Sequence, residues 1–260
     1  CRSRKMDKLL TITLINKDDA DLLPFQLDAI ANQSILPDEV IIIDDGTERD
    51  ESKDIIQKFY DENKEKLNVK IFLFDDNKGY NYRANYAIDI SSSKYLLQVA
   101  ANDRLALDIV ENCYRGFELD AAIVATDVSF PREGVYKGDS LIDSSFYIPG
   151  ASSCIKKKYL QEVGGHVLDF QWHSDWFFMH SVAMKYDFYA INKNLCYKDP
   201  SPDGYANVGV ESPKQLEVLK AMVEKVENDI FFEDIRLKMK KMIKRCHRSE
   251  EIFSLCLLDT

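Results

Sequence analysis

The sequence predicts an α/β fold: a mostly parallel central sheet flanked by helices, followed by a helical C-terminal tail. Three observations predict it. Strand-length apolar runs alternate with stretches of helical spacing over residues 9–128, the rhythm of βαβ units. Val40-Ile41-Ile42-Ile43 is a run of β-branched residues with no polar alternation, as a strand covered on both faces requires. Strands close on polar groups, at Asn16, Asp44-Asp45, Asp75-Asp76 and Asn102-Asp103. In open α/β sheets, ligands sit beyond those carboxyl ends.

Residues 9–15 form the first expected strand, closed by Asn16-Lys17-Asp18-Asp19. Residues 22–32 carry Leu22, Leu23, Leu27 and Ile30 at helical spacing, with Pro24 tolerated in the first turn. The strand 39–45 follows, then an amphipathic helix over 51–66 with Ile55, Ile56, Phe59 and Tyr60 on one face. Strands are expected at 69–74, 95–100 and 121–128, and helices at 82–90 and 105–117. Beyond residue 129 the rhythm breaks. Residues 130–145 read as a loop or hairpin, 148–155 as a strand and 157–163 as a helix stopped by Gly164-Gly165. Residues 174–185 are helical, 188–191 extended and 199–209 a turn-rich loop. Two further helices are expected over 217–227 and 235–246.

With 260 residues the chain can bury a substantial core. A net charge of −10 argues against nucleic acid as a partner. No apolar run approaches the roughly 18–20 residues that cross a bilayer. The six cysteines are scattered without a CxxC pair or zinc spacing, which points to a reduced, cytoplasmic setting. No glycine-rich dinucleotide turn follows the first strand, and no phosphate-loop pattern occurs, so NAD or FAD use is not expected. The acids and amides at the strand ends suit a divalent metal, a base edge or sugar hydroxyls instead.

Several segments, taken in order, resemble the family 2 glycosyltransferases. Thr11-Ile12-Thr13-Leu14-Ile15-Asn16 stands where that family has a strand ending in Pro-Thr-Tyr-Asn. Leu27 to Ser34 is similar to its Leu-x-Ser-Ile-x-x-Gln-Thr helix end, and Glu39 to Thr47 to its Glu-Ile-Ile-Val-Val-Asp-Asp-Gly-Ser. Asn77-Lys78-Gly79 with Asn85-Tyr86-Ala87-Ile88 resembles its Asn-x-Gly and Arg-Asn-x-Gly-Ile stretch. Val163-Gly164-Gly165 and Ser174-Asp175-Trp176 resemble its Gly-Gly-Phe and Glu-Asp-Trp segments. The resemblance spans residues 9–205.

It implies a GT-A fold over residues 1–210, with a nucleotide-binding half at 9–128 and an acceptor half at 129–210; the helical spacing beyond it reads as an extension over 211–260 packed on that domain. It also implies inverting transfer of a sugar from a nucleotide-diphosphate donor to a glycan or lipid-linked acceptor hydroxyl, as in bacterial-type surface polysaccharide or glycolipid synthesis. Asp45 would meet the donor's base, with Thr13, Asn16 and Asn102 nearby. Lys78 and Arg83 would reach the diphosphate or base. Asp175 would be the general base, and Trp172, His173 and Trp176 would line the acceptor side, where aromatic faces suit sugar stacking.

Two departures bear on the cofactor. The family's Asp-x-Asp position reads Ala100-Ala101-Asn102-Asp103, so Asp103, with Asn102 beside it, is the candidate ligand for Mg2+ or Mn2+. No histidine follows the last strand, where Tyr197-Lys198-Asp199-Pro200 stands, and Lys198 or Lys78 is an alternative neutraliser of the leaving diphosphate. Ile15 in place of the family's tyrosine leaves the base open, with a UDP-sugar as the default. The degenerate metal position also admits a second reading, a GT-A fold that has lost turnover and serves as a binding or assembly module.

His166, His173 and His180 recur every seven residues, but that separates helical positions by about 10 Å, so they read as site-lining polarity and not a metal set. The basic segment 235–248 offers either peripheral contact with the inner face of an anionic membrane or an ordinary helix covering the core. Nothing in the sequence sets the oligomeric state.

Overall fold

The computed structural model describes residues 8–143, 146–198 and 205–246. The N-terminal half runs β1 (Leu10–Asn16), α1 (Leu23–Ala31), β2 (Glu39–Asp45), α2 (Ser52–Asn63), β3 (Val69–Phe74), α3 (Tyr80–Ile90), β4 (Tyr95–Ala100), β5 (Asp103–Leu105), α4 (Ile109–Glu118) and β6 (Ile123–Thr126). There follow β7 (Gly134–Tyr136), α5 (Ser140–Asp143), β8 (Cys154–Lys156), α6 (Lys157–Glu162), α7 (Ser174–Lys185), β9 (Phe188–Ile191) and β10 (Cys196–Lys198). Helices α8 (Tyr205–Val210), α9 (Gln215–Asn228) and α10 (Arg236–Cys246) complete the described chain.

Eight strands form one sheet in the order β3-β2-β1-β4-β8-β6-β9-β7. The first four are mutually parallel, and β6 and β9 are parallel to each other. Strand β8 runs antiparallel between β4 and β6, and β7 is an antiparallel edge. Because β1, β2 and β4 are parallel, Asn16, Asp44-Asp45 and the Asn102-Asp103 turn emerge along one edge. The reversed β8 brings its entry, the Gly150–Ser152 turn, to that same edge.

Alternation along each strand divides the core. Leu10, Ile12, Leu14, Val40 and Ile42 face a cluster shared with α1, α2 and α4. Ile15, Ile41 and Ile43 face α3 on the other side. Residues of both strand parities are therefore buried, which explains the unbroken β-branched run in β2. Leu96, Ile123 and Ile155 join α6, α7, α9 and α10 in the largest cluster.

The differences from the expected elements have local causes. Asp103–Leu105 is a strand paired with Cys196–Lys198 and does not open a helix; α4 begins at Ile109. Only Cys154–Lys156 of the expected strand 148–155 is extended, because Gly150–Ser152 winds into a 3-10 turn. The expected excursion 130–145 holds β7 and α5, and within the expected loop 199–209, Tyr205–Val210 is helical while 199–204 lie outside the described residues.

The apolar face of α10 (Met239, Met242, Ile243) lies in the core, not outward. Several of its charges are engaged by neighbours: Lys238 pairs with Asp139 at 2.6 Å, Lys240 with Glu227, and Arg245 donates to the Leu141 carbonyl at 2.8 Å. This segment therefore packs as a core-covering helix, and residues 247–248 of the expected membrane-contact stretch lie outside the described residues. Among the described residues no helix is long and apolar enough to cross a membrane.

Glu39 opens β2 with a fully buried carboxylate. Lys70 approaches at 2.7 Å, and Thr11 Oγ1, the Ser92 N–H and Ser92 Oγ donate at 2.8, 2.8 and 2.9 Å. Burial alone would raise its pKa, but these donors outweigh burial and bring it from 4.5 down to about 2. A folded-state value below the unfolded one means that this stabilisation is complete above about pH 4.5 and fades as pH falls toward 2. A shift of that size corresponds to about 3 kcal/mol. Glu39→Gln is expected to lower stability at neutral pH and flatten its loss between those two pH values. Urea midpoints measured across the window check this, and an unchanged acid slope would rule Glu39 out as the acid-labile contact.

Candidate active site

Asp44 and Asp45 leave β2 with different surroundings. Asp44 is fully buried and closes its own turn, accepting from the Thr47 N–H at 2.8 Å, Thr47 Oγ1 at 2.6 Å and Asn16 Nδ2 at 2.9 Å. Asp45 accepts from the Lys78 and Gly79 N–H groups at 2.8 and 2.7 Å and from Arg83 Nε at 2.7 Å. A carboxylate has about four lone-pair positions, so one on Oδ2 is left. Arg83 is itself buried and its Nη2 donates to Asp76 Oδ1 at 2.6 Å. Lys78 is exposed, with its ammonium 3.2 Å from Asp76. Of the expected donor residues, the structure thus joins Asp45, Arg83 and the Lys78 backbone directly.

At the end of β1, Thr13 and Asn16 are buried. Thr13 Oγ1 and Asn16 Oδ1 have no hydrogen-bond partner among the described residues. Buried polar atoms of this kind are normally satisfied by protein, water or ligand.

Asp103 is buried just past β4, its Oδ2 accepting from the Ala100 N–H at 2.8 Å. It stands opposite Lys198 in the β5–β10 register. Among the described residues no group of three or more His, Cys, Asp or Glu side chains is arranged to hold a metal. The donor set at Asn102-Asp103 is nonetheless chemically suited to Mg2+ or Mn2+: hard oxygens, one carboxylate and one amide, where such ions typically take one or two carboxylates and substrate phosphates.

Asp175 lies in the first turn of α7, half-buried, with Oδ1 accepting from the Trp176 N–H at 2.7 Å. A Cβ at Gly150 would stand 2.6 Å from Asp175 Oδ2, so the turn before β8 approaches this carboxylate as closely as a bare backbone allows. Gly150→Ala is therefore expected to displace the carboxylate and lower turnover while nucleotide binding persists. Parallel kinetics and calorimetry check this; full turnover in the alanine variant would show that the contact does not set the carboxylate's position.

Two tyrosines that sequence reading missed are shifted by burial and by the charges of these acids. Desolvation, and then the charges of Asp175 and Asp103, push the Tyr80 hydroxyl above its ordinary pKa. Tyr147 is shifted the same way by desolvation, Asp175 and Asp127. Tyr80 directly follows Asn77-Lys78-Gly79, a local signal that could have flagged it; Tyr147 has none.

The three spaced histidines are all buried. His166 lies between Asn81 Oδ1 (3.2 Å) and Gln98 Oε1 (3.1 Å), and burial lowers its pKa to about 3. His180 stacks on Trp176 with centroids 4.6 Å apart, its Nδ1 2.8 Å from the Trp176 carbonyl, and burial lowers it to about 4. His173 is lowered by burial, partly offset by Gln215 and Asp175. Trp172 Nε1 donates to Gln215 Oε1 at 2.7 Å, so Trp172 and His173 meet α9 as well as the site. Helix α3 links the halves: Arg83 reaches Asp45, Asn81 Nδ2 donates to the Gln171 carbonyl at 2.8 Å, and Asn85 accepts from the His166 N–H at 2.8 Å.

This architecture is shared with known structures. The S. aureus TarS fragment 1–349 in complex with UDP superimposes with a TM-score of 0.73 at 14% identity, over 94% of this chain and 73% of that one. The longer S. aureus TarS chain gives 0.71 at 15% identity, over 94% of this chain and 44% of that one. The mannosyltransferase PcManGT from Pyrobaculum calidifontis, in complex with GDP-Man and Mn2+, gives 0.64 at 14% identity, over 96% and 79%. These likenesses identify the fold as GT-A. The sequence matches the model for glycosyl transferase family 2 over residues 11–187. The chain is a glycosyltransferase and belongs to glycosyl transferase family 2.

Proposed function

We propose that this glycosyltransferase moves a sugar from a nucleotide-diphosphate donor to an acceptor hydroxyl with inversion, in the building of a surface glycan or glycolipid at the cytoplasmic side of the membrane. The observation that carries this reading is that three acids gather at one edge of the sheet: Asp45 and Asp103 at the ends of the parallel strands β2 and β4, and Asp175 against the Gly150 turn that enters β8.

In this reading the remaining lone pair of Asp45 Oδ2 accepts from a base N–H of the donor. Thr13 Oγ1 and Asn16 Oδ1, buried and without partners among the described residues, supply further polar contacts. Asp175 takes the proton of the acceptor hydroxyl while its oxygen attacks the anomeric carbon opposite the departing diphosphate. Burial, with the charges of Asp175 and Asp103, holds Tyr80 in the protonated form, so it does not serve as a base. Asp103, with Asn102, would hold Mg2+ or Mn2+, which when bound neutralises charge on the leaving diphosphate. Trp176 and His173 face the acceptor, and Trp172, held by Gln215 of α9, supports them.

The bound UDP of TarS and the GDP-Man of PcManGT support a uridine or guanosine diphosphate, with uridine the default. A thermal-shift screen of nucleoside diphosphates with and without Mn2+ tests the reading. One base should raise the unfolding temperature, more so with metal. No response to any nucleotide would overturn donor binding.

A further inference from the structure

We propose that Gln215 is a positioning residue for transfer: its side-chain amide holds Trp172 and His173 and so sets where Asp175 stands. The proposal rests on Asp175 being the general base. Gln215 opens α9 and lies outside the residues matched by the family.

The indole N–H of Trp172 can only donate, so the Gln215 oxygen, 2.7 Å away, is the atom facing it. His173 Nε2 lies 3.0 Å from that oxygen and 2.9 Å from the amide nitrogen, so one amide engages both rings. Helix α7 starts at the next residue, which leaves Asp175 two positions beyond the clamp. Gly209 of α8 closes the other side, where a Cβ would come within 2.1 Å of the Trp172 ring.

The segment being clamped is strained. Gln171 has φ 48° and ψ −120°, far from the 3-10 geometry around it. Non-glycine residues stay in such regions only where the surroundings over-determine them. Here Asn81 holds the Gln171 carbonyl from α3, and Gln215 holds the next two residues from α9. Removing one hold lets the strained turn relax, carrying the base off line, and misplacement by about 1 Å costs about 10²-fold in rate.

The test compares Gln215→Leu, similar in size but unable to hydrogen-bond, with Gln215→Glu, which keeps an oxygen for Trp172. Turnover is read as nucleoside diphosphate released from the nucleotide sugar. For Gln215→Leu, kcat should fall about 10²-fold with donor KM and unfolding temperature near wild type. Gln215→Glu should restore most of kcat, and its carboxylate should raise the His173 pKa in an NMR titration. Undiminished kcat in Gln215→Leu overturns the proposal. So does a misfolded Gln215→Leu, or a Gln215→Glu with neither rescue nor a His173 shift. If Asp175→Asn leaves transfer intact, the base assignment has failed; if Asp175→Asn abolishes transfer and Gln215→Leu does not, Gln215 has.

Discussion

Asp175→Asn is expected to lower transfer by about 10²–10⁴-fold, the usual contribution of a general base, while nucleotide binding stays intact. Asparagine has nearly the same shape and its oxygen can still accept from the Trp176 N–H, so the first turn of α7 should persist. What is lost is the ability to take a proton. The neighbouring titratable groups are poor substitutes. His173 Nε2 is engaged by the Gln215 amide, His180 is completely buried against Trp176, and desolvation holds Tyr80 and Tyr147 in the protonated form. Transfer kinetics paired with calorimetric nucleotide titration would separate the two effects. A variant that turns over at the wild-type rate would exclude Asp175 as the base.

The second large effect is structural. Asp45→Ala strands the Arg83 guanidinium, whose side chain is 5% exposed, without its buried carboxylate partner and frees the Lys78-Gly79 backbone. Breaking a buried pair from one side costs about 3–5 kcal/mol. For a chain of this size that corresponds to a fall of about 6–20 °C in unfolding temperature. The pair itself is a different quantity, because an apolar replacement of both partners removes the unpaired charge as well. Asp45→Ala/Arg83→Met should therefore recover much of the stability without recovering nucleotide binding. Thermal unfolding of both variants, beside a nucleotide titration, checks this. A single variant that melts with the wild type would show that the pair is not what holds the turn.

Much of this arrangement was legible before the structure. Residues 69–74, 95–100, 174–185 and 188–191 are read from pattern with the same limits that the structure has, because each is an apolar-rich run bounded by polar or turn-forming residues, a signal that is local. Strands β5 and β10 leave none. Each has three residues and exists through pairing with a partner some ninety positions away. Asp45, Asp103 and Asp175 stand out as acids at element ends. Gln215 does not: a glutamine at a helix start has many ordinary roles, and its two aromatic partners are brought to it by the packing of α9. That the Arg83 guanidinium turns to Asp45 and Asp76 is likewise a matter of three-dimensional approach.

The packing of α9 and α10 has a consequence for where this enzyme can be cut. Met222, Val226, Phe232, Met239 and Ile243 share one cluster with Phe170, Phe177 and Val182 from the matched region. The boundary of homology, residue 187, therefore runs through the middle of a folding unit. A chain shortened to that boundary would expose the back of α7 and lose the wall behind its first turn. In this protein the packed core extends past the unit that is recognisable by descent.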